Sequence, residues 1–189
     1  DRIITMDLHA DQIQGFFNVP VDHLYGSAIF APYIEKLKLE NLTVSAPDMG
    51  GSKRANAYSR HLQSEMVLCY KLRKRPNVIE EMSVLGDVEG RNVVIIDDMV
   101  DTAGTLVLAA QKMHEKGARS IRAFATHPIL SGNAVQRIED SPITELVVTD
   151  SVPFVNNSEK IKILSIAEIF ATTIQAVNLN QSISTNFVF

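Results

Sequence analysis

The sequence predicts an α/β fold, a mostly parallel sheet flanked by helices, on three observations. Short apolar runs alternate with stretches of helical period along almost the whole chain, the pattern of strands joined by helical crossovers. One run, "VVII" at 93 to 96, is apolar without alternation, as expected of a strand covered on both faces. A third stretch, "MSVLGDVEGRNVVIID", holds two apolar runs around a Gly-rich turn and reads as a hairpin, so an antiparallel edge is expected.

In chain order the strand candidates are "RIITMDL", "LTVSAP", "MVLCYKL", "MSVL", "VVIID", "SIRAFAT" and "ITELVVT". Helices are expected over 30–39, 53–63, 105–116, 132–139 and 166–178. Leu106, Ala109, Ala110 and Met113 recur at helical spacing, and Gly117 supplies a stop. Phe30, Tyr33, Ile34 and Leu37 do the same near Pro32, as do Ile166, Ile169, Phe170, Thr173, Ile174 and Val177. Linkers are expected at "LYGSA" around Gly26 and in the polar "NLNQSIST" after Val177. No internal repeat or low-complexity tract is found.

With 189 residues, 46% of them hydrophobic and 21% charged, the chain has enough apolar material for a real core. A net charge of −4 offers no basic surface for nucleic acid. Cys69 is the single cysteine, which excludes an internal disulfide and fits a reducing compartment, so a cytoplasmic location is expected. No apolar run approaches the roughly 18 residues of a membrane span, and no membrane partner is expected.

The chemistry concentrates in "VVIIDDMVDTAGT", 93 to 105. Parallel sheets bind ligands beyond the carboxyl ends of their strands, and Asp97 and Asp98 are expected at such a tip. Asp101, Thr102, Ala103, Gly104 and Thr105 then lead into a helix. Small residues expose backbone amides, threonines offer hydroxyls, and the helix start is electropositive, so a phosphate fits there. Carboxylates beside a phosphate make sense for a ligand with vicinal hydroxyls or a divalent cation, and a sugar phosphate meets both demands. The bland reading is that Asp101 or Thr105 caps the helix.

Three other stretches join it. In "DLHADQIQGFF", His9 is compatible with a metal ligand, a phosphate donor, or a histidine satisfied at a strand end. In "SAPDMGGSKRA", Asp48 precedes Gly50 and Gly51, a turn that suits either a magnesium carboxylate or an ordinary N-cap. In "KLRKRPNV", Lys71, Arg73, Lys74 and Arg75 form a solvated face or, if the segment is extended, Lys71, Arg73 and Arg75 share one side and converge on a polyphosphate.

The acidic loop resembles the signature of the type I phosphoribosyltransferase fold. The ordered series "DLHADQIQGFF", "PDMGG", "KLRKRPNV", "GDVEG", "DDMVDTAGT", "THPILSG", "LVVTDS" and the terminal "QSIS" resembles the ribose-phosphate pyrophosphokinase family over nearly the whole chain. The resemblance implies transfer of pyrophosphate from ATP to the anomeric hydroxyl of ribose 5-phosphate, with Mg2+. It implies that Asp97 and Asp98 hold the ribose hydroxyls, that 101 to 105 receive its phosphate, and that His9 and Asp48 take the magnesium positions. Lys71 and Arg73 would be the catalytic cations, with Arg73 also near the sugar phosphate.

Ser182 and Ser184 match a Ser-x-Ser tail that implies an allosteric anion site for phosphate or ADP, although Thr185 and Asn186 depart from the usual continuation. The resemblance also implies a homo-oligomer, a hexamer in the intact enzyme. Residues 1–27 are expected to end a first domain that starts upstream of Asp1, 28–178 to form a second phosphoribosyltransferase-like domain, and 179–189 a tail. This chain alone is accordingly expected to bind ATP poorly and to turn over negligibly. Competing readings are a phosphoribosyltransferase, a non-catalytic regulatory homologue of the synthetase and, least favoured by the acidic charge, an RNA-binding regulator.

Overall fold

The computed structural model describes residues 1–72, 81–154 and 157–184, with the side chains of Leu72 and Glu81 outside the description. Two strands, β1 (Ile3–Met6) and β2 (Val21–Leu24), pair in parallel as a small sheet, Ile3 opposite Val21 and Met6 opposite Leu24. After α1 (Ser27–Lys36) comes β3 (Leu42–Ala46), then α2 (Ser52–His61), β4 (Glu65–Leu72) and β5 (Glu81–Leu85). The second half runs β6 (Asn92–Val100), α3 (Gly104–Glu115), β7 (Ser120–Pro128), α4 (Ala134–Glu139), β8 (Glu145–Thr149), β9 (Ile161–Leu164) and α5 (Ala167–Asn178). No described helix is long and apolar enough to cross a membrane.

The main sheet has the order β5-β4-β3-β6-β7-β8-β9 and is parallel except for β5, which runs antiparallel to β4. The antiparallel edge is therefore present, but its partner differs from the expected one: β5 pairs with β4, Leu68 opposite Leu85, and not with β6. The "GDVEGRN" stretch carries the chain from the sheet's edge to its middle. Gly86, at φ +116°, lies so close to Val67 that an added Cβ would stand 2.6 Å from its Cγ1. Gly90 N donates to Gly117 O at 2.9 Å, so the turn is tied to the loop after α3.

A central position is what the unalternating run of β6 demands. Val93 and Ile95 join one core with Leu106, Ala109, Ala110 and Met113 of α3. Val94 and Ile96 join the other with Phe30 and Ile34 of α1 and Ala55 and Tyr58 of α2. Successive side chains of a strand face opposite sides, so both faces are filled. Burial of this apolar surface is the main force holding the layers together.

Candidate functional site

β6 runs on past the expected tip, keeping register with β7 as far as Val100 opposite Pro128. The acid pair thus lies within the strand's last residues, and although successive side chains of a strand alternate, both carboxylates come within 3.6 Å of one Arg54 nitrogen. Asp98 is buried on the α2 side, where its Oδ2 lies 2.7 Å from His9 Nδ1 and its Oδ1 3.3 Å from Arg54 Nη1. Asp97 lines a cavity at the start of α3, and its Oδ1 lies 3.6 Å from the same Arg54 nitrogen. The backbone N–H of Asp98 donates to Asp97 Oδ1 at 3.0 Å.

Two neighbouring acids cannot both ionise freely, and their surroundings separate them. Burial, then the hydrogen bond and negative charge of Asp98, push the Asp97 carboxyl up to about 7. Burial also opposes ionisation of Asp98, but the hydrogen bonds from Asp97 and His9 and the Arg54 charge outweigh it and hold that carboxyl below the usual range. With Asp98 ionised, His9 presents Nδ1–H to it, which fixes the tautomer and leaves the lone pair of Nε2 for another partner.

The loop beyond β6 surrounds a cavity of about 310 Å3 lined by Asp48, Asp97, Asp101 and residues 102 to 105. Neither Asp101 nor Thr105 caps α3: the residue before the helix is Ala103, left-handed at φ +59°, and among the described residues no side-chain cap bond is made there. Asp101 instead accepts a hydrogen bond from Ser131 Oγ. The Asp48 turn behaves differently: its Oδ1 accepts from Gly50 N at 2.8 Å and Gly51 N at 3.4 Å, the expected N-cap, while Oδ2 makes no hydrogen bond among the described residues.

A second cavity of about 510 Å3 is lined by His9, Asp7, Asp11, His23, Lys53 and Arg54 among others. His9 and Asp48 thus border different cavities, with Gly50 reaching the larger, beside His9, and Asp48 the smaller, beside Asp97. Among the described residues no three His, Cys, Asp or Glu side chains gather as a ready metal cage. Lys71 lies on β4 opposite Met82. Arg73, Lys74 and Arg75 fall outside the described residues. Ser182 and Ser184 are exposed and bonded to each other at 2.9 Å, away from the cavities just described.

Sequence reasoning missed Arg54, Ser131 and Arg137. Arg54 carried a faint signal, standing in the first turn of the helix that follows the glycine turn. Ser131 lay within the quoted "THPILSG" with no role read for it, and Arg137 carried no signal, because their partners lie 30 and 35 residues away.

A mostly parallel sheet flanked by helices, with a cavity between Asp97 and a small-residue bend, defines an α/β protein of the phosphoribosyltransferase-like fold. The chain belongs to the phosphoribosyl synthetase-associated domain family, whose model matches residues 40–188. It is 53% identical to a ribose-phosphate pyrophosphokinase of Porphyromonas gingivalis over 100% of this chain and 60% of that protein. The counterpart from Wolinella succinogenes is 46% identical over 99% of this chain and 60% of its own length. Among solved structures, a phosphoribosylpyrophosphate synthetase from Mycobacterium smegmatis superposes with a TM-score of 0.88 at 36% identity, covering 95% of this chain and 59% of that one. An APRTase from Giardia lamblia, at TM-score 0.52 and 12% identity over 72% of this chain and 75% of its own, shares the fold alone. The chain spans about 60% of the length of the curated relatives it matches.

Proposed function

We propose that this protein is a ribose-phosphate pyrophosphokinase, acting on ribose 5-phosphate and ATP. The observation that carries the reading is the cavity of about 310 Å3 shared by Asp97 and the bend 101 to 105, in a chain of this family. The sugar phosphate would sit there, its phosphate on the bend and its hydroxyls at Asp97. Asp98 would contribute through the neighbouring face, by orienting His9 and Arg54, more than by touching sugar.

In the reaction, the anomeric oxygen forms a bond to the β-phosphorus of ATP while the bond from that phosphorus to the oxygen bridging the α-phosphate breaks. AMP leaves with the bridging oxygen, and the hydroxyl proton is released. Little covalent work falls to the protein; it aligns the partners and stabilises charge. Lys71 and Arg73 would act on the transferring group, where one well-placed cation lowers the barrier by about 3 kcal/mol.

Asp48 through Oδ2 and His9 through Nε2 would each hold a Mg2+, at the separate cavities they border. The fit is that of a hard cation held by one carboxylate with much of its shell from water and phosphate. When bound, it neutralises charge on the triphosphate. A cytoplasmic homo-oligomer, a hexamer in the intact enzyme, and an anion-responsive tail at Ser182 and Ser184 complete the reading. The test is AMP formation by the full-length protein that requires both ribose 5-phosphate and magnesium; AMP formation indifferent to the sugar, or absent, would refute it.

A further inference from the structure

The segment 126 to 132, "THPILSG", belongs to the series that resembles the family and reaches the site through Ser131. Its backbone and the helix after it grip three successive carbonyls of the acidic bend. Leu130 N donates to Val100 O at 3.0 Å, Ser131 N to Asp101 O at 3.1 Å, and Arg137 Nη1 to Thr102 O at 2.9 Å. Ser131 Oγ also donates to the Asp101 carboxylate.

A peptide unit is planar and trans, so its C=O and the following N–H point in opposite directions. Holding the carbonyls of Val100, Asp101 and Thr102 on the α4 side therefore turns the N–H groups of Asp101, Thr102 and Ala103 the other way. The residues that carry them line the cavity. Ala103 completes the turn in a left-handed conformation at φ +59°, which costs a non-glycine residue energy and needs outside support. Successive N–H groups around such a residue form an anion-binding concavity.

The gripping side is itself anchored. Lys160 Nζ donates to the carbonyls of Glu139 at 2.7 Å and Ser141 at 2.9 Å, and Ser158 Oγ bonds the Glu139 carboxylate, so the end of α4 is fixed to the loop before β9.

We propose that Ser131 and Arg137 are positioning residues for the sugar's phosphate: they brace the bend so that its amides face the anion. The proposal rests on the reading of the bend as the ribose 5-phosphate site. The test is a titration of the 15N-labelled full chain with inorganic phosphate, followed at the bend amides and at those of β8 as a remote control. In the native protein the Asp101, Thr102 and Ala103 signals should move with phosphate.

Arg137→Ala and Ser131→Ala should each weaken phosphate binding about tenfold while the β8 signals stay in place. Arg137→Lys, which keeps a donor, should regain most of the affinity. Unchanged phosphate affinity in both alanine variants would overturn the brace and leave the ribose 5-phosphate reading standing. Native bend amides that ignore phosphate would overturn both.

Discussion

Two strand ends in this molecule carry an acid followed by small residues, and they use that chemistry in opposite ways. After β3, Asp48 turns back on its own chain and satisfies the amides of Gly50 and Gly51. After β6, no side chain caps α3, and the bend's carbonyls are drawn backward by Leu130, Ser131 and Arg137. The first turn is complete in itself and offers a spare carboxylate oxygen. The second leaves its cap to no side chain of its own and takes its support from the far side of the bend. An acidic residue before a glycine pattern is thus no sign of a ligand site until the destination of the amides is known.

The largest expected effect breaks the catalytic side of this contrast. Lys71→Ala in the full-length protein should lower turnover by about a hundredfold or more while leaving ribose 5-phosphate affinity unchanged, as read by steady-state kinetics beside calorimetry. Near-normal turnover would remove Lys71 from the mechanism.

Next comes Asp98→Ala, which removes the buried partner of His9 and Arg54. It should cost about 1 kcal/mol in urea unfolding near neutral pH, since His9 is mostly exposed and Arg54 keeps Asp97 as a second carboxylate. The depressed folded pKa gives the sign with pH: the stabilisation exists above the ordinary carboxylate range and is lost as acid carries the pH through the lower folded value. The gap between native and variant should therefore close in acid.

Asp48 separates cap from ligand. Asp48→Ala should cost about 1 kcal/mol as a lost N-cap, whereas Asp48→Asn, a good cap without charge, should keep stability and raise the magnesium concentration needed for activity. Equal magnesium requirements in native protein and Asp48→Asn would reduce Asp48 to a structural cap.

The smallest effect concerns Asp97. Its raised folded pKa means that the stability it contributes is fully present at low pH and declines as pH rises from the usual carboxylate range through about 7. Asp97→Asn should accordingly raise the melting temperature by about 3 °C at alkaline pH and much less in acid. Ribose 5-phosphate affinity of the native protein should grow as pH passes the same value, because the ionised carboxylate accepts the sugar hydroxyls. A flat melting difference across pH would contradict the shift.

Much of this was legible because period reports burial. The unalternating run at 93 to 96 announced a central strand, and the spacing of Leu106, Ala109, Ala110 and Met113 announced α3. What period could not announce was pairing. The "GDVEGRN" turn has hairpin chemistry, yet β6 belongs between β3 and β7, a choice made by two cores, one of which takes in Val88 of the turn itself. β2 and β9 escaped because four-residue strands with Asp22, His23 or Lys162 inside hardly rise above loop composition.

The candidate site was legible in its acids and its small residues, which are local. It was not legible in its support. Arg54 reaches Asp98 across 44 positions, and Arg137 reaches Thr102 across 35. Nor could composition tell that Asp97 and Asp98 would share Arg54, since that needs α2 packed beside the strand's end.

The most direct measurement is a crystal of the protein soaked with ribose 5-phosphate. The account predicts phosphate density on the amides of the bend 101 to 105 with the sugar hydroxyls at Asp97. Density elsewhere, or an empty bend at saturating sugar phosphate, would contradict it.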